Sequence, residues 1–485
     1  MTLSTPQIHK INNYKWLIPK SENMNVPGII YISENMLPNL IHENVIPQII
    51  NVAKLPGIIK YSLAMPDVHQ GYGAPIGGVG AFDIENGLII PGFVGYDINC
   101  GVRLLKTNFL KKDIEKNLEK IITAIYTNIP AGVGSSGKLF LNKKEMEKVV
   151  ISGAKWAVDN GYGFQTDLEN TEENGKMEGA QPDKIGDHAY KRAADQIGTL
   201  GSGNHFLEIQ EIKEIYDEKT AGVFGLFAGQ ITIMIHSGSR GLGHQICQDY
   251  LMKFYKSISK YNINLPDRQL VGLPINSHDG KDYFSAMTAG ANFAWANRQI
   301  MSHRVRESFS QVLNTSIEKL EKLEITTLYD IAHNIAKKEF HNIDGKKTEV
   351  LIHRKGATRA FPKEHPEIPE KYRNAGQPVI IPGTMGTSSY VLVGTQTAME
   401  ETWGSTCHGA GRKMSRHQAV RENKQRNIIK ELAEHNIIAK AGSRIGLIEE
   451  IPEAYKDIDE VIRIVENAGL SKKIAKMVPL AVIKG

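Results

Sequence analysis

Cysteine is scarce in this chain: three residues among 485, Cys100, Cys247 and Cys407, with no CxxC pair. Three such thiols make no disulfide framework, and a reducing compartment is expected, hence a cytoplasmic protein. Long hydrophobic runs are also missing. No stretch of about 18 apolar residues occurs, and residues 1–20 are polar with isolated apolar positions, so neither secretion nor membrane insertion is expected. There is no GKS or GKT, which excludes a Walker-type phosphate loop. Nor is there a Lys/Arg tail of the disordered kind. A formal charge of +5 permits a polyanionic partner, which would then have to lie in a folded groove.

Glycine, by contrast, is plentiful (45 residues) and clustered. The densest cluster of chemistry is Pro91 to Arg103, where an apolar run (Leu88-Ile89-Ile90) leads into a glycine-rich turn and Val102-Leu104-Leu105 leads out. The pattern reads as strand, turn, strand. Asp97 and Cys100 stand three residues apart on that turn, either as a pair of metal ligands or as a turn aspartate and a packed thiol. Met65 to Gly80 reads as an irregular site-shaping loop. Ile114, Leu118, Ile121, Ile122 and Ile125 mark an amphipathic helix, and 143–159 another. Residues 165–187 are polar and aperiodic and read as a mobile surface loop. Tyr283–Val312 and Ser316–His341 read as mostly helical, the second enclosing His333. Gly28–Ile32, Ile231–Ile235, Val350–Ile352, Val379–Ile381 and Tyr390–Val393 read as strands, and helices are expected near 46–53, 417–439 and 457–468. With no repeat and no composition break, a single large α+β domain over 1–485 is expected.

Several residues have the chemistry for a site. His205 follows a glycine turn before a strand, His236 ends a buried strand before SGSRG, and His333 precedes Asn334. With Asp97 and Cys100 they offer N, S and O ligands for one or two metals. A thiolate would bridge two ions, and its softness favours zinc over manganese. His236-Ser237-Gly238-Ser239-Arg240-Gly241 and Pro382 to Ser389 offer backbone N–H groups suited to anions, and His353 to Arg359 adds a cationic cluster. His408, ahead of Gly409-Ala410-Gly411-Arg412, has the makings of a nucleophile at phosphorus. Cys247 and Cys407 read as packed thiols.

Together AMPDVHQGYG, PIGGV, GYDINCGVR, GTLGSGNHFLE, HSGSRGLG, AHNIAK, HRKGATRAF, IPGTMGTSSYVL, CHGAGR and the final VIKG resemble the RtcB family of GTP-dependent RNA ligases, from about residue 64 to the last. The resemblance implies the family's α+β fold, a single mixed-sheet domain with helical insertions around a central dinuclear metal site. It implies two manganese ions, one held by Asp97, Cys100 and His205, the other by Cys100, His236 and His333, so that Cys100 bridges. His408 would take GMP from GTP, with Asp67 orienting it. The guanylate pocket would comprise Asn204, His205, Phe206, Leu207, Glu208, His333, Asn334, Pro382, Gly383, Thr384, Met385, Ser389, His408, Gly409, Ala410, Gly411 and, at the guanine, Lys484. Thr384 departs from the serine that many members carry there, keeping the hydroxyl. Arg240, Lys355 and Arg412 would bind RNA phosphates. RNA ends, tRNA halves or broken strands, are the implied partners, along with an archease-like activator and no membrane. Two rival readings are a metal-dependent phosphoesterase or nuclease lacking a covalent histidine, and a non-catalytic RNA-binding protein.

Overall fold

The β-branched run Ile231–Ile235 lies within the Gln230–Ser237 strand, which is buried along its whole length. Continuous burial of this kind requires cover on both faces. In the computed structural model, which describes residues 8–21 and 23–485, that strand is central to a sheet of eight. The order is Ile325–Ala332, Gly101–Leu110, Gln230–Ser237, Phe206–Ile215, Ser471–Lys484, Ser389–Gly394 and Pro378–Ile381, with Ile438–Ala441 alongside Ser471–Lys484 in parallel. A second sheet of seven runs His9–Lys10, Lys15–Ile18, Gly28–Tyr31, Ile58–His69, Ile76–Asp83, Lys346–Lys355 and Asn334–Ile343. The chain crosses from the first sheet to the second through a single residue: one strand ends at Ala332, the next begins at Asn334, and His333 lies between them.

A 36-residue helix, His278–Leu313, runs through the interior, about 54 Å long at 1.5 Å per residue. Ser277 caps its first turn, accepting from Gly280 N, and Asn314 ends it in the left-handed region. Its buried face is not purely apolar. Asn292, Asn297, Arg298, Gln299 and Arg306 are all inaccessible to solvent, so each must find partners in the interior.

Several expectations need correction. Within Ser316–His341 only Ile317–Leu323 is helical, and strands Ile325–Ala332 and Asn334–Ile343 follow. Ile325-Thr326-Thr327 is β-branched, and an antiparallel partner, Gly101–Leu110, is available to it. The Met65–Gly80 loop shrinks to residues 70–75, because Ile58–His69 and Ile76–Asp83 pair as strands. The 143–159 helix breaks at Gly153, where φ is +59° and a Cβ would collide with the Gly175 carbonyl. The 417–439 helix is two, Arg416–Asn423 and Ile428–Glu434, before the strand Ile438–Ala441.

The largest difference is at 165–187. Glu169 and Glu178 are exposed, but Asp167 and Glu172 are buried. Asp167 accepts two bonds of 2.8 Å from the Arg306 guanidinium, one of 2.8 Å from Gln299 and one of 2.5 Å from Thr327. Glu172 accepts from Lys337 and from the backbone N of Ala332, both at 2.8 Å. The carboxylates that made the segment look solvated are turned inward onto cations more than a hundred residues away, a pairing no local pattern reveals. The segment therefore braces the strand that delivers His333. Removing one partner of a buried pair costs about 3–5 kcal/mol. Asp167→Ala is expected to lose that much in urea denaturation, whereas a loss below about 1 kcal/mol would contradict this burial.

Candidate active site

Strand register assembles the cluster. Gly101 lies opposite both Ala332 and Ser237, and His236 lies opposite Val102 and Phe206. Residues just before, within or just after these strands, namely Cys100, His205, His236 and His333, therefore meet at one edge of the eight-stranded sheet. Cys100 Sγ lies 3.3 Å from His205 Nε2 and 3.3 Å from His236 Nε2, and His236 Nε2 lies 3.3 Å from His333 Nε2. Asp97 Oδ2 completes the set at 2.8 Å from His205 Nε2. Two triads result, Asp97–Cys100–His205 and Cys100–His236–His333, each with donor atoms within 4.8 Å of one another.

The turn that carries Asp97 and Cys100 is held tightly. Cys100 N donates to Asp97 O at 3.0 Å, and Asn99, at φ +52°, donates its N–H to Asn334 O at 2.7 Å. A Cβ at Gly101 would stand 2.5 Å from Ile331 O, so only glycine fits there. Behind the turn, Arg298 donates from Nη1 to the Asn99 carbonyl at 2.8 Å and to the Ser237 carbonyl at 2.9 Å, and from Nη2 to Asn99 Oδ1 at 3.0 Å. Asp330 holds that guanidinium from the other side and also pairs with Arg103 at 2.7 Å.

Burial sets the charge states. It pushes His236 and His333 well below the usual imidazole range, and neighbouring histidines push the same way. Burial also lowers His205, against the pull of Asp97. Neutral imidazoles are what a metal requires. Burial drives the Cys100 thiol well above its usual value and Asp97 adds to this, while the Arg298 and Arg240 charges oppose it. Burial disfavours the Asp97 carboxylate too, but the His205 bond and charge outweigh it and hold Asp97 below its ordinary value. Lone-pair atoms packed at 3.3 Å with few protons to share fit divalent cations between them.

A second assembly faces this one. The short strand Ser405–Cys407 pairs with Ala357–Arg359 and delivers His408, whose ring centroid is 5.0 Å from that of His333. His408 Nδ1 lies 2.5 Å from Asp67 Oδ2, and the same oxygen accepts from His408 N at 2.9 Å and Gly409 N at 3.2 Å. Asp67 is fully buried; burial raises its carboxyl, yet the His408 charge and bonds hold it below the usual value. A carboxylate on Nδ1 fixes the tautomer and leaves Nε2 as the free lone pair.

Both assemblies open into one cavity of about 680 Å³. Asn204, Phe206, His333, Asn334, Pro382, Gly383, Thr384, Met385, His408, Gly409, Ala410, Gly411 and Lys484 line it, as do Asp97, Cys100 and His236. His205, Leu207, Glu208 and Ser389 stand behind the wall: Ser389 Oγ accepts from Gly383 N at 3.0 Å and so shapes the Pro382–Met385 turn. Burial raises the Glu208 carboxyl to about 8, against Gln210 and Lys484.

The three cations expected at RNA phosphates already have partners. Lys355 Nζ donates to the carbonyls of Tyr72, Ala74 and Gly92 at 2.6–2.9 Å. Arg412 bonds Glu450, Tyr455 and the Glu449 carbonyl. Arg240 reaches Thr199 at 3.3 Å and His205 Nδ1 at 3.4 Å. Lys355 and Arg412 line the cavity; Arg240 lies behind it. Glu450 went unnoticed in the sequence. Its buried carboxylate gathers Arg412 and Arg416 at 3.1 Å and Lys484 at 3.6 Å. A glutamate in the plain stretch Ile448-Glu449-Glu450-Ile451 carries no signal of that role. Cys247 and Cys407 are buried thiols, as expected.

A mixed helix-and-sheet protein with a candidate two-cation cluster facing a carboxylate-paired histidine is the class these features define. The chain belongs to the RtcB family: the family model described as tRNA-splicing ligase RtcB matches residues 48–485. Relatives named tRNA-splicing ligase RtcB include those of Thermococcus kodakarensis, 50% identical over 479 residues, and Methanococcus maripaludis, 52% identical over 480. That of Archaeoglobus fulgidus is 50% identical over 480 residues, and in all three cases 99% of each chain is covered. Because Cys100 Sγ belongs to both triads and Asp97 to one, Cys100→Ser is expected to weaken both metal positions in calorimetric titration, and Asp97→Ala mainly one. Equal loss at both positions in the two variants would contradict the shared thiol.

Proposed function

We propose that this chain, an RNA ligase by family, joins an RNA end bearing a 2′,3′-cyclic phosphate or 3′-phosphate to a 5′-hydroxyl end, using GTP and two Mn²⁺ ions. The single observation that carries the reading is the His408–Asp67 pair pointing its free nitrogen into the cavity beside His333. Asp97, Cys100 and His205 would hold one cation and Cys100, His236 and His333 the other; bound there, they would neutralise charge on phosphate oxygens. Cys100 favours a soft cation, so manganese rests on family membership.

His408 Nε2 attacks the α-phosphorus of GTP. The N–P bond forms, the bond to the β-phosphate oxygen breaks and pyrophosphate leaves. Positive charge appearing on the imidazole is offset by Asp67, whose grip on Nδ1–H also keeps the ring aimed. Water opens a cyclic phosphate to a 3′-phosphate. An oxygen of that phosphate then attacks the guanylyl phosphorus, breaking the N–P bond and restoring His408, to give an RNA-3′-pp-G end. The 5′-hydroxyl of the second strand attacks the RNA-side phosphorus, losing its proton as GMP leaves, and the phosphodiester closes.

Guanine would lie at Lys484, which lines the cavity, with the buried Glu208 carboxyl behind it. Phe206, under the Lys484 ammonium at 5.4 Å, offers an apolar face. Lys355 and Arg412 supply positive charge to the cavity wall while holding it, and Arg240 supplies it from behind. The relatives are named tRNA-splicing ligases, which favours tRNA halves as the substrate here; broken RNA in repair has the same end chemistry. An archease-like activator and a cytoplasmic setting complete the proposal. No described helix is long and apolar enough to cross a membrane.

Incubation with α-labelled GTP and Mn²⁺ tests the carrying step. Covalent, acid-labile label is expected on the wild type and none on His408→Ala, with Asp67→Asn slowed about 10²–10⁴-fold. An unlabelled wild type that still hydrolyses RNA phosphoesters would favour the phosphoesterase reading instead.

A further inference from the structure

Part of the cavity wall is aromatic, formed by Tyr72 and Tyr96. Tyr96, next to Asp97, meets Tyr72 edge to face at a centroid distance of 5.5 Å and His244 at 5.9 Å. Past Tyr72 a second depression begins, walled by Tyr255, Lys256, Arg268 and Gln269. Tyr72 lines both concavities, so they adjoin at its ring. The hydroxyls of Tyr72 and Tyr255 lie 3.3 Å apart, and the Arg268 guanidinium lies 5.0 Å from the Tyr255 ring centroid. The three tyrosines are half-buried, whereas His244, Lys256 and Arg268 are exposed. Among the residues that wall the second depression the carboxylate is Asp267, which accepts from Gln269 N at 2.8 Å.

The loop that carries Tyr72 is held by hydrogen bonds from several sides. The Tyr72 carbonyl accepts from Lys355 at 2.6 Å, Gly71 exchanges two bonds with the Gln48 amide, and Gly73 N donates to Gln269 Oε1 at 2.8 Å. A Cβ on either Gly73 or Gly92 would stand 2.6 Å from the Gln269 carbonyl, so the loop carrying Tyr72 lies directly against its neighbours. Prebuilt rings need little ordering on binding.

We propose that Tyr96, Tyr72 and Tyr255, with His244, Lys256 and Arg268, form a track for unpaired nucleotides of an RNA strand whose end lies at the metal cluster. Rings interleaved with cations and beginning beside Asp97 match single-strand recognition, where stacking supplies affinity and cations follow the backbone. A duplex, with its bases already stacked on each other, gains nothing from such rings. The inference rests on the RNA ligase reading and adds to it a demand for a single-stranded end.

Fluorescence anisotropy with a labelled 10-nucleotide single-stranded RNA ending in a 3′-phosphate tests this. Tyr255→Leu, which keeps apolar volume but removes the ring face, is expected to weaken binding about 5- to 100-fold. Tyr255→Trp is expected to stay near wild type, and the exposed Arg268→Glu to weaken binding without changing the melting temperature. The track is refuted if the wild type binds blunt duplex as well as single strand, if Tyr255→Leu binds within twofold of wild type, or if Tyr255→Trp falls as far as Tyr255→Leu. Guanylylation of the wild type separates the two claims. Label present with unaltered RNA affinity in the variants sinks the track alone, and label absent sinks the ligase reading.

Discussion

Arg298, buried in the middle of the long helix, holds the candidate centre together from behind. Its guanidinium spans the carbonyls of Asn99 and Ser237, the neighbours of Cys100 and His236. Asp330 anchors it from the strand that ends beside His333. Three strands that contribute to the cluster are thus tied through one planar fork, which a lysine cannot imitate. The arrangement buries two guanidiniums, Arg298 and Arg103, against one carboxylate, Asp330. Such a cluster is poor value as a source of stability, because desolvation offsets much of its Coulomb gain. Its worth is positional: the surplus positive charge lies under Cys100 and opposes the burial that keeps the thiol protonated.

The same logic extends outward. Glu172, paired with Lys337, also receives the backbone N–H of Ala332, and Asn334 accepts from Asn99 N through its carbonyl. His333 is therefore gripped on both sides, by the sheet it leaves and the sheet it enters. On the opposite wall Asp67 spends one oxygen on three donors, two of them the backbone N–H groups of His408 and Gly409. Both halves of the centre share a design in which a buried charge orients a reactive side chain through the backbone as well as the ring. Catalysis by positioning and charge neutralisation, the mode suited to phosphorus chemistry, needs that rigidity.

Much of this was legible in the sequence where the signal is local. Ile231–Ile235 could only be a buried strand, and a histidine at its end next to glycines is a rim residue by position. The turn at 95–101 is recognisable from its glycines, whereas the spacing of Asp97 and Cys100 on it leaves a ligand pair and a turn aspartate with a packed thiol both open. What failed was long-range. His333 was placed in a helix because its flanks contain leucine, alanine and lysine; the sheet partner that overrides this propensity lies more than two hundred residues earlier. The acidic run at 165–187 looked solvated because its cations, Arg306 and Lys337, are distant. Arg298 and Glu450 carry no motif, since their importance exists only once three or more partners converge. The phosphate roles expected of Arg412 and Lys355 now stand beside structural ones, as each already anchors the cavity wall.

In the proposed centre one sulfur, Cys100 Sγ, serves two cations. Anomalous diffraction from crystals soaked in Mn²⁺ tests it most directly. Two peaks are expected, both within bonding distance of Cys100 Sγ, which for a zinc thiolate is about 2.3 Å. One of them should also touch Asp97 and His205, the other His236 and His333. A single peak, or two peaks of which only one reaches the sulfur, would contradict it.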